Sequence, residues 1–501
     1  MLVYIKGVCA KVRMLFVILG SFALRAHAAA TTAVFASATA LTGDAVVVPG
    51  SVIKSPRNPL FVQDEPWERR IDNGYANVVE DESTGALRLW YGVCLGAESN
   101  ASACSLQGFA YAESTDGLAF VKPTLNLFNL SAFEQLPPFL KSLGTRNNLL
   151  LVGGGIGVAR DRSVAVGTPG AFRAFGVGCF EPGGGAATGG KGSSCVSGTG
   201  ESADGLTWTG AASVAWPPPQ RYDCQNNLYW DDVYGHWVLT TRSYDASPEG
   251  AGREISVIQS AGVSFGGWPA AVPVVAHGNA SEQLYSMATF RWLDVRLGIV
   301  MVFDATKPTT EGRVHCRLLF QAHRSANASA PFDFVGGPAG AAADFIPLGA
   351  DGEFDSHICF AAAHPLPGAS VGEQTRLYYF GGDGPHNGAR NTSLGLALLR
   401  ADGFASVVAA KRGTAVIADV KVTAALLTAT VDIIGPGGSV RLGARGVPGL
   451  SLADCTPLTV TATDAEVVFA GGRDFSSLVG EVVDFEVELE AGAIFTIGFA
   501  G

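Results

Sequence analysis

The feature that most constrains the fold is a unit that recurs five times along the chain. Each copy has a polar or acidic cluster, then a short apolar strand, then a second strand that ends in turn-forming residues. The copies lie roughly 60 to 75 residues apart, which is enough for one four-stranded blade with its loops. They occupy residues 70–79, 146–152, 221–230, 281–287 and 353–360. This spacing predicts a five-bladed β-propeller, in which the polar residues that open each copy converge at one end of the central tunnel.

The composition fits an all-β protein. Of the 501 residues, 48% are hydrophobic and 16% are charged, and 64 Gly and 25 Pro supply many tight turns. The formal net charge of -11 argues against a nucleic-acid partner. After Phe404 the polar clusters stop and short strands alternate with Gly-rich turns. We therefore expect a five-bladed propeller over residues 45–404, followed by a C-terminal β-sandwich over residues 405–501.

The N-terminus predicts export. Lys11 and Arg13 precede or flank an apolar run at 14–24, and Ala-His-Ala at 26–28 is a small-x-small cleavage site. Residues 1–28 are predicted to be a signal peptide, with a signal anchor as the alternative. The mature protein is then secreted and has no membrane span. Sequons for N-glycosylation, which are used only in the secretory route, occur at Asn100, Asn129, Asn279, Asn327 and Asn391.

The cysteines support the same compartment. Cys9 lies in the signal region, and the other eight form an even set, as expected for an exported protein. We predict two local disulfides, Cys94 with Cys104 and Cys179 with Cys195, because each closes a short loop. No Cys-x-x-Cys pair or His-rich cluster points to zinc, so neither a metal site nor a cofactor is predicted.

A second pattern lies inside the units. Ser-x-Asp-Gly-x-x-aromatic occurs at 114–120 and 202–208, and residues 325–332 resemble it more weakly. The pattern predicts a hairpin in which Asp and Gly satisfy the turn and the aromatic side chain packs back under the sheet. The aspartates of these turns should therefore be remote from any chemistry.

The acidic residues that open the units are candidates for catalysis. Hydrolysis of a glycosidic bond needs one protonated and one ionised carboxyl group facing each other across the sugar. Asp72, Asp223 and Glu282 come from different units and supply such a set. We expect Asp72 to act as base or nucleophile, Asp223 as modulator beside Arg221, and Glu282 as general acid. The alternative for Asp223 is a turn in which it caps its own backbone.

Other polar residues at the same end of the predicted tunnel are candidates for substrate binding. Amide side chains can donate to sugar hydroxyls, and charged or imidazole groups can orient them. The predicted substrate-binding residues are Asn77, Arg221, Gln225, Asn226, Arg253, Asp355 and His386. For His386 the alternative is a solvated loop histidine.

Several segments together resemble the superfamily of five-bladed propeller glycoside hydrolases that includes families 32, 43, 62 and 68. In particular, the chain looks like two-domain members in which a sandwich follows the propeller. The segments that carry this resemblance are 67–68, 77–79, Leu-Arg-Leu-Trp-Tyr at 87–91, 202–208, Asp-Cys-Gln-Asn-Asn-Leu-Tyr-Trp-Asp at 223–231, 378–382, 399–404 and 472–480. The invertase-type motif Trp-Met-Asn-Asp-Pro-Asn-Gly is missing, so the resemblance does not extend to sucrose or fructan hydrolases.

The resemblance implies a secreted glycosidase that acts on a carbohydrate substrate through paired carboxylates. Two alternatives stay open. One is a propeller that binds glycans or proteins at the tunnel mouth without catalysis. The other is a sialidase-like hydrolase, which needs an arginine triad and a Tyr nucleophile; Arg146, Arg221 and Arg253 are the arginines considered for that triad.

Overall fold

The structure is a computed structural model. It describes residues 31–95, 106–178, 197–213, 225–244, 252–260, 269–275, 282–306, 312–321, 327–337, 343–368, 373–386 and 388–500. The predicted signal peptide lies outside these residues. The first fourteen described strands are β1 (Thr32–Ala33), β2 (Ala38–Gly43), β3 (Val46–Pro49), β4 (Val52–Lys54), β5 (Asn77–Glu80), β6 (Leu87–Cys94), β7 (Gln107–Ser114), β8 (Leu149–Arg160), β9 (Phe172–Gly178), β10 (Ser197–Ser202), β11 (Trp208–Ser213), β12 (Asn227–Asp231), β13 (His236–Tyr244) and β14 (Arg253–Ser260).

The remaining described strands complete a nearly all-β chain, as the composition predicted. They are β15 (Val272–Val275), β16 (Glu282–Trp292), β17 (Val295–Asp304), β18 (Val314–Gln321), β19 (Phe332–Phe334), β20 (Ile358–Ala361), β21 (Thr375–Gly382), β22 (Thr392–Leu399), β23 (Ala405–Lys421), β24 (Leu426–Ile433), β25 (Ser439–Ala444), β26 (Ala462–Glu466) and β27 (Val482–Ala500). Two short helices are described, α1 (Val34–Ser37) and α2 (Pro138–Lys141). Among the described residues, no helix has the length and apolarity that crossing a membrane requires.

The chain divides into two compact units. The larger unit comprises Ser51–Phe290 and Leu297–Arg400. The smaller unit comprises Met1–Gly50, Arg291–Arg296 and Ala401–Gly501.

The smaller unit contains an eight-stranded sheet in the order β2-β23-β27-β24-β26, with β1 and β25 also paired to β27 and β3 paired to β23. The strands β2 and β3 precede the larger unit in sequence, and the sequence patterns did not predict that they join this sheet. In β27 the first half alternates between buried and more exposed side chains, with Phe485, Val487 and Leu489 buried. This period of two buries one face of the sheet on an apolar core.

The larger unit is built from consecutive antiparallel runs of strands. The runs are β5-β6-β7, β8-β9-β10-β11, β12-β13-β14-β15, β16-β17-β18-β19 and β20-β21-β22. The long strand β8 pairs with β7 through its first residues and with β9 through the rest, so it belongs to the first run as well as to the second. The fourth strand of the last run is β4, which pairs with β22 through Lys54 opposite Ala397. Asn58 and Leu396 exchange two further hydrogen bonds at this junction, which therefore joins the two ends of the unit.

Asparagines at the starts of the runs hold neighbouring runs together. Asn77 of β5 donates to the carbonyl oxygen of Ile156 at 2.7 Å and accepts from the amide of Val158 at 2.9 Å, both in β8. Asn227 of β12 accepts from the backbone and hydroxyl of Thr289 in β16, each at 2.9 Å. The recurrence of asparagine in the repeated unit thus has a structural cause, since each side chain satisfies backbone groups of the next run.

The predicted Ser-x-Asp-Gly hairpins are confirmed. Asp116 accepts from the backbone amides of residues 118 and 119 at 2.8 Å each, and Asp204 accepts from those of residues 206 and 207 at 2.9 and 2.8 Å. Gly117 and Gly205 have φ of 73° and 76° and donate to the preceding Ser hydroxyls. A residue with a side chain would be strained at these angles. Of the weaker third copy at 325–332, the structure describes only the residues from Asn327 onward.

The disulfide predictions concern residues that are described only in part. Cys94 is disulfide-bonded, whereas Cys104, Cys179 and Cys195 lie outside the described residues. A disulfide that the sequence did not predict joins Cys316 of β18 to Cys359 of β20. These strands also form a parallel bridge between Val314 and Ile358, so the disulfide links two successive runs.

Candidate functional site

A group of polar and aromatic side chains in the larger unit is assembled from distant parts of the chain, and we name it the Asp72 cluster. The loop before β5, the strands β13, β14 and β16, and the segment between β21 and β22 contribute to it. Its members are Arg70, Asp72, Asn73, Tyr75, Arg242, Arg253, Tyr285, His386 and Arg390.

The backbone before β5 has an unusual conformation. Asp72, Gly74 and Tyr75 have φ of 57°, 68° and 44°, all in the left-handed region that most residues avoid. At residue 74 a Cβ atom would lie 2.1 Å from the ring of Phe380, so only glycine fits. The hydroxyl of Thr392 donates to the carbonyl oxygen of Asp72 at 2.8 Å and helps to hold this turn. Strain of this kind needs support from the surrounding structure and is often found at functional sites.

The carboxylate of Asp72 is bound by two arginines. Its Oδ1 lies 3.0 Å from Nε of Arg70 and 2.7 Å from Nη2 of Arg390. The same Nη2 donates to Oδ1 of Asn73 at 2.7 Å. Burial lowers the pKa of the Arg390 guanidinium, and the charge of Asp72 opposes that shift. Asp72 is thus held in one orientation while its side chain keeps 24% of its surface exposed.

Asp72 lines a small pocket of about 10 Å³, which is the space that about one water molecule needs. The lining includes Asp72, Asn73, Tyr75, Cys94 and Gln107. Asp72 keeps part of its side chain exposed, whereas Asn73 and Tyr75 are buried and hydrogen-bonded to each other at 2.6 Å. An exposed carboxylate can accept hydrogen bonds from a hydroxyl-rich ligand.

Two guanidinium groups and an imidazole surround Tyr285. The guanidinium carbons of Arg242 and Arg253 lie 4.5 and 5.2 Å from the centre of the Tyr285 ring. The ring of His386 approaches it edge-on, with centroids 4.7 Å apart and planes at 75°. The amide nitrogen of Asn73 is 3.4 Å from the Tyr285 hydroxyl, which connects this part of the cluster to the Asp72 turn. Cation–π contacts with both arginines therefore hold the tyrosine ring in place.

His386 is neutral at neutral pH. Burial lowers the pKa of its imidazole well below the ordinary value of 6.5, and the charges of Arg390, Arg253, Arg70 and Arg242 lower it further. Its Nδ1 is buried and has no hydrogen-bond partner in the part of the chain that the structure describes. A neutral imidazole can accept or donate one hydrogen bond, so His386 can contribute a polar contact without adding charge.

Three predicted site residues come together in this cluster: Asp72, Arg253 and His386. Asp223 and Arg221 lie outside the described residues, so their positions stay predictions. Arg146, considered for a sialidase-like triad, is exposed, and its Nε lies 3.5 Å from the carbonyl oxygen of Leu143.

Glu282, the predicted general acid, lies at the start of β16. Its Oε1 accepts from Nη2 of Arg317 at 2.8 Å, and Arg317 also lies 3.9 Å from Asp344. Glu282 precedes Tyr285 by three residues, and side chains three apart on a strand point to opposite faces. Among the described contacts, none joins Glu282 directly to Asp72.

Three other predicted binding residues have mainly structural partners. Asn77 links β5 to β8, as described above. Asn226 donates to the carbonyl oxygen of Gly155 at 2.9 Å and accepts from the Thr241 hydroxyl at 2.8 Å. Gln225 donates weakly to the carbonyl oxygen of Ala361 at 3.4 Å, and its Oε1 is buried with no partner among the described residues.

Asp355 lies in a separate, enclosed site. Its Oδ2 is 2.6 Å from Nζ of Lys54 and accepts from the Tyr379 hydroxyl at 2.7 Å, and its side chain is 1% exposed. Burial, followed by the charge and hydrogen bond of Asp355, raises the pKa of the Tyr379 hydroxyl. Lys54 belongs to β4, so this carboxylate contacts the strand that completes the last run.

Sequence reasoning missed six members of the cluster as functional residues: Arg70, Asn73, Tyr75, Arg242, Tyr285 and Arg390. Asn73 and Tyr75 lie in the same repeated unit as Asp72. Arg70 had a usable signal, since it precedes Asp72 by two residues just as Arg221 precedes Asp223. Tyr285, Arg242 and Arg390 had none, because strand positions and a loop position look the same in sequence whether they face a cavity or a core.

Comparisons with known proteins give similarity only at the level of solved structures. No protein-family model matches the chain, and no curated protein matches it. Similar structures include the catalytic domain of an α-L-arabinofuranosidase from Coprinopsis cinerea (TM-score 0.43, 12% identity, 70% of this chain and 97% of that one). An exo-β-1,3-galactanase from Phanerochaete chrysosporium has a TM-score of 0.37 and 10% identity, over 87% of this chain and 99% of that one.

An N-acetylgalactosamine deacetylase from F. plautii is similar to the same degree, with a TM-score of 0.41, 15% identity, and coverage of 72% of this chain and 96% of that one. The chain is thus similar to glycoside hydrolases, as its sequence resemblance predicted. All three TM-scores are below 0.5.

Proposed function

We propose that this protein is a secreted glycan-processing enzyme, and that it hydrolyses a glycosidic bond at the Asp72 cluster. One observation carries the proposal: Asp72, a partly exposed carboxylate with a fixed orientation, lines a cavity beside Tyr75 and Asn73. A positioned carboxylate can act as base or nucleophile on a sugar.

The proposed architecture is a five-bladed propeller followed by a β-sandwich. The five consecutive runs in the described part of the larger unit support the first part, with β4 as the outer strand of the last blade. The sheet and apolar core of the smaller unit support the second. The boundaries at residues 45–404 and 405–501 remain predictions.

The proposed division of labour keeps Asp72 as base or nucleophile, Asp223 as modulator and Glu282 as general acid. The position of Asp72 at the cavity supports its role. For Glu282, proton donation from Oε1 requires its ion pair with Arg317 to open, because that oxygen accepts from the guanidinium at 2.8 Å. A substrate that separates Glu282 from Arg317 when it binds would satisfy this requirement.

The test is hydrolysis of a panel of polysaccharides, including arabinan, arabinoxylan, β-1,3-galactan and polygalacturonate, measured as reducing sugar released. We expect Glu282→Gln to lower turnover by roughly a hundredfold to ten-thousandfold, as for loss of a general acid. The matched control is Glu201→Gln, because Glu201 also pairs with an arginine, Arg173 at 3.0 Å, and is not one of the proposed catalytic residues. Full activity in Glu282→Gln would remove Glu282 from the mechanism, and no activity of the wild type on any glycan would contradict the hydrolase proposal.

A second candidate is a propeller that binds glycans without cleaving them. The observation in its favour is that Asp72 is the carboxylate that the described residues bring into the cluster, and two arginines bind it. A binding protein requires no second carboxyl group. This candidate would be favoured if folded protein, assayed at high concentration, binds glycans but releases no sugar from them.

A further inference from the structure

One guanidinium of the Asp72 cluster, that of Arg253, has no carboxylate partner among the described residues. Its Nη1 donates to the side-chain oxygen of Gln283, which is neutral. Its Nε is buried and lacks a hydrogen-bond acceptor in the described part of the chain. Arg88 of the same unit provides the contrast: it also lies over an aromatic ring, that of Phe172, but it forms an ion pair with Asp81 at 2.9 Å.

Aromatic rings hold Arg253 in place without neutralising it. Its guanidinium carbon lies 5.2 Å from the ring centre of Tyr285 and 5.7 Å from that of Phe303. Cation–π contacts offset part of the cost of removing the charge from water. The charge itself stays uncompensated by these neutral groups, and such a charge gains more from an incoming anion than a solvated one does.

Arginines outnumber carboxylates around Arg253 in the Asp72 cluster. Arg242 lies over the same tyrosine ring, and Arg70 and Arg390, which share the one carboxylate of Asp72, both donate to the carbonyl oxygen of His386, Arg70 at 3.0 Å. Burial lowers the pKa of His386 most, and the charges of these arginines lower it further. The potential at this point therefore favours an anion, although the whole chain carries a net charge of -11.

We propose that Arg253 binds the carboxylate of an acidic sugar, so that the substrate of this site is an acidic glycan. This inference rests on the proposed function, because it takes the ligand to be a glycan. The planar guanidinium fork matches a planar carboxylate with two parallel hydrogen bonds, which an ammonium group does not reproduce. Uronic acids and sialic acids both carry this group, and sulfated sugars carry a tetrahedral anion instead.

The test measures binding by titration calorimetry at low salt with the full chain. The probes are trigalacturonate and its methyl ester, 3′-sialyllactose and lactose, and a sulfated galactose tetrasaccharide. We expect a carboxylated probe to bind tighter than its neutral counterpart by a factor on the order of ten to a hundred. Whichever carboxylated probe binds identifies the source of the carboxylate. Physiological salt should weaken that preference.

The variants separate Arg253 from general effects of charge. Arg253→Gln should abolish the preference, Arg253→Lys should keep part of it, and Arg88→Gln, the matched control, should keep all of it. Circular dichroism checks folding; if Arg253→Gln does not fold, Arg253→Lys and the salt dependence of the wild type decide. Equal binding of charged and neutral probes, preference for the sulfated probe alone, or equal losses in Arg253→Gln and Arg88→Gln would overturn the inference. Cleavage of neutral glycans alone would overturn it and leave the proposed function intact, whereas failure to bind any glycan would overturn both.

Discussion

Asp72 and Asp355 lie in two regions of the larger unit that start from the same sequence pattern and end in different environments. Each precedes a buried strand, and each forms ion pairs. The side chain of Asp72 is 24% exposed at a cavity and contacts Arg70 and Arg390, whereas that of Asp355 is 1% exposed and contacts Lys54 and Tyr379. The comparison teaches that the partners brought by distant segments, and not the acidic residue itself, decide whether such a carboxylate can meet a ligand.

The largest effect that tests this contrast is expected for Asp72→Asn. If Asp72 is the base or nucleophile, turnover should fall by roughly a hundredfold to ten-thousandfold, because the amide neither accepts a proton nor attacks the sugar. The measurement is the release of reducing sugar from the glycan that the wild type cleaves, with folding checked by circular dichroism. Turnover within a few-fold of wild type would place Asp72 with Asp355 as a structural carboxylate.

Asp355→Asn should show the opposite pattern. The substitution leaves Lys54 without its counter-charge, and we expect the free energy of unfolding to fall by about 2 to 3 kcal/mol, less than for a fully buried pair because Lys54 is partly exposed. Urea unfolding followed by fluorescence measures this loss. Activity per folded molecule should stay near that of the wild type. A stable variant with greatly reduced activity would instead assign Asp355 to the site.

The smallest expected effect is a pH dependence of the unfolding free energy. It comes from His386, which belongs to the Asp72 cluster. The folded-state pKa of His386 lies below its ordinary value of 6.5, so below that pH the unfolded chain binds a proton that the folded chain does not. Stability is therefore fully present above about pH 6.5 and falls as the pH drops towards the folded-state pKa. The slope from this residue is up to about 1.4 kcal/mol per pH unit.

His386→Gln should reduce this slope between pH 6.5 and 5 while leaving the stability above pH 7 as an internal reference. Part of the slope should remain in the variant, because burial also lowers the pKa of His364. Unfolding free energies measured in urea at several pH values provide the comparison. An unchanged slope would mean that His386 is protonated in the folded protein.

Local patterns in the sequence predicted local structure well. The Ser-x-Asp-Gly turns follow from the φ that glycine allows and from the short reach of the Asp side chain, and the structure confirms both. The sequence also predicted Asp72 as a catalytic residue and Arg253 and His386 as substrate-binding residues. These three side chains lie in one cluster. Of the three, only Asp72 lies in a repeated unit; Arg253 was predicted from its place before a strand and His386 from its loop.

The sequence could not predict features that depend on distant partners. The disulfide between Cys316 and Cys359 spans 43 residues and joins two runs, so no local loop signals it. Asn226 looks like a ligand-binding amide, yet backbone and hydroxyl groups of neighbouring strands use it. Arg390 lies in a loop with no periodic pattern, and only the folded chain brings its guanidinium to Asp72.

The pairing of β4 with β22 has a consequence for the time course of synthesis. Asn58 and Leu396, which bond at this junction, are 338 residues apart. At translation rates of 5 to 20 residues per second, the early strand waits roughly 20 to 70 seconds before its partner exists. During that interval the edge of β4, with Ile53 exposed even in the folded protein, is open to wrong partners. Completion of the larger unit is therefore a late event in synthesis, because it waits for β22.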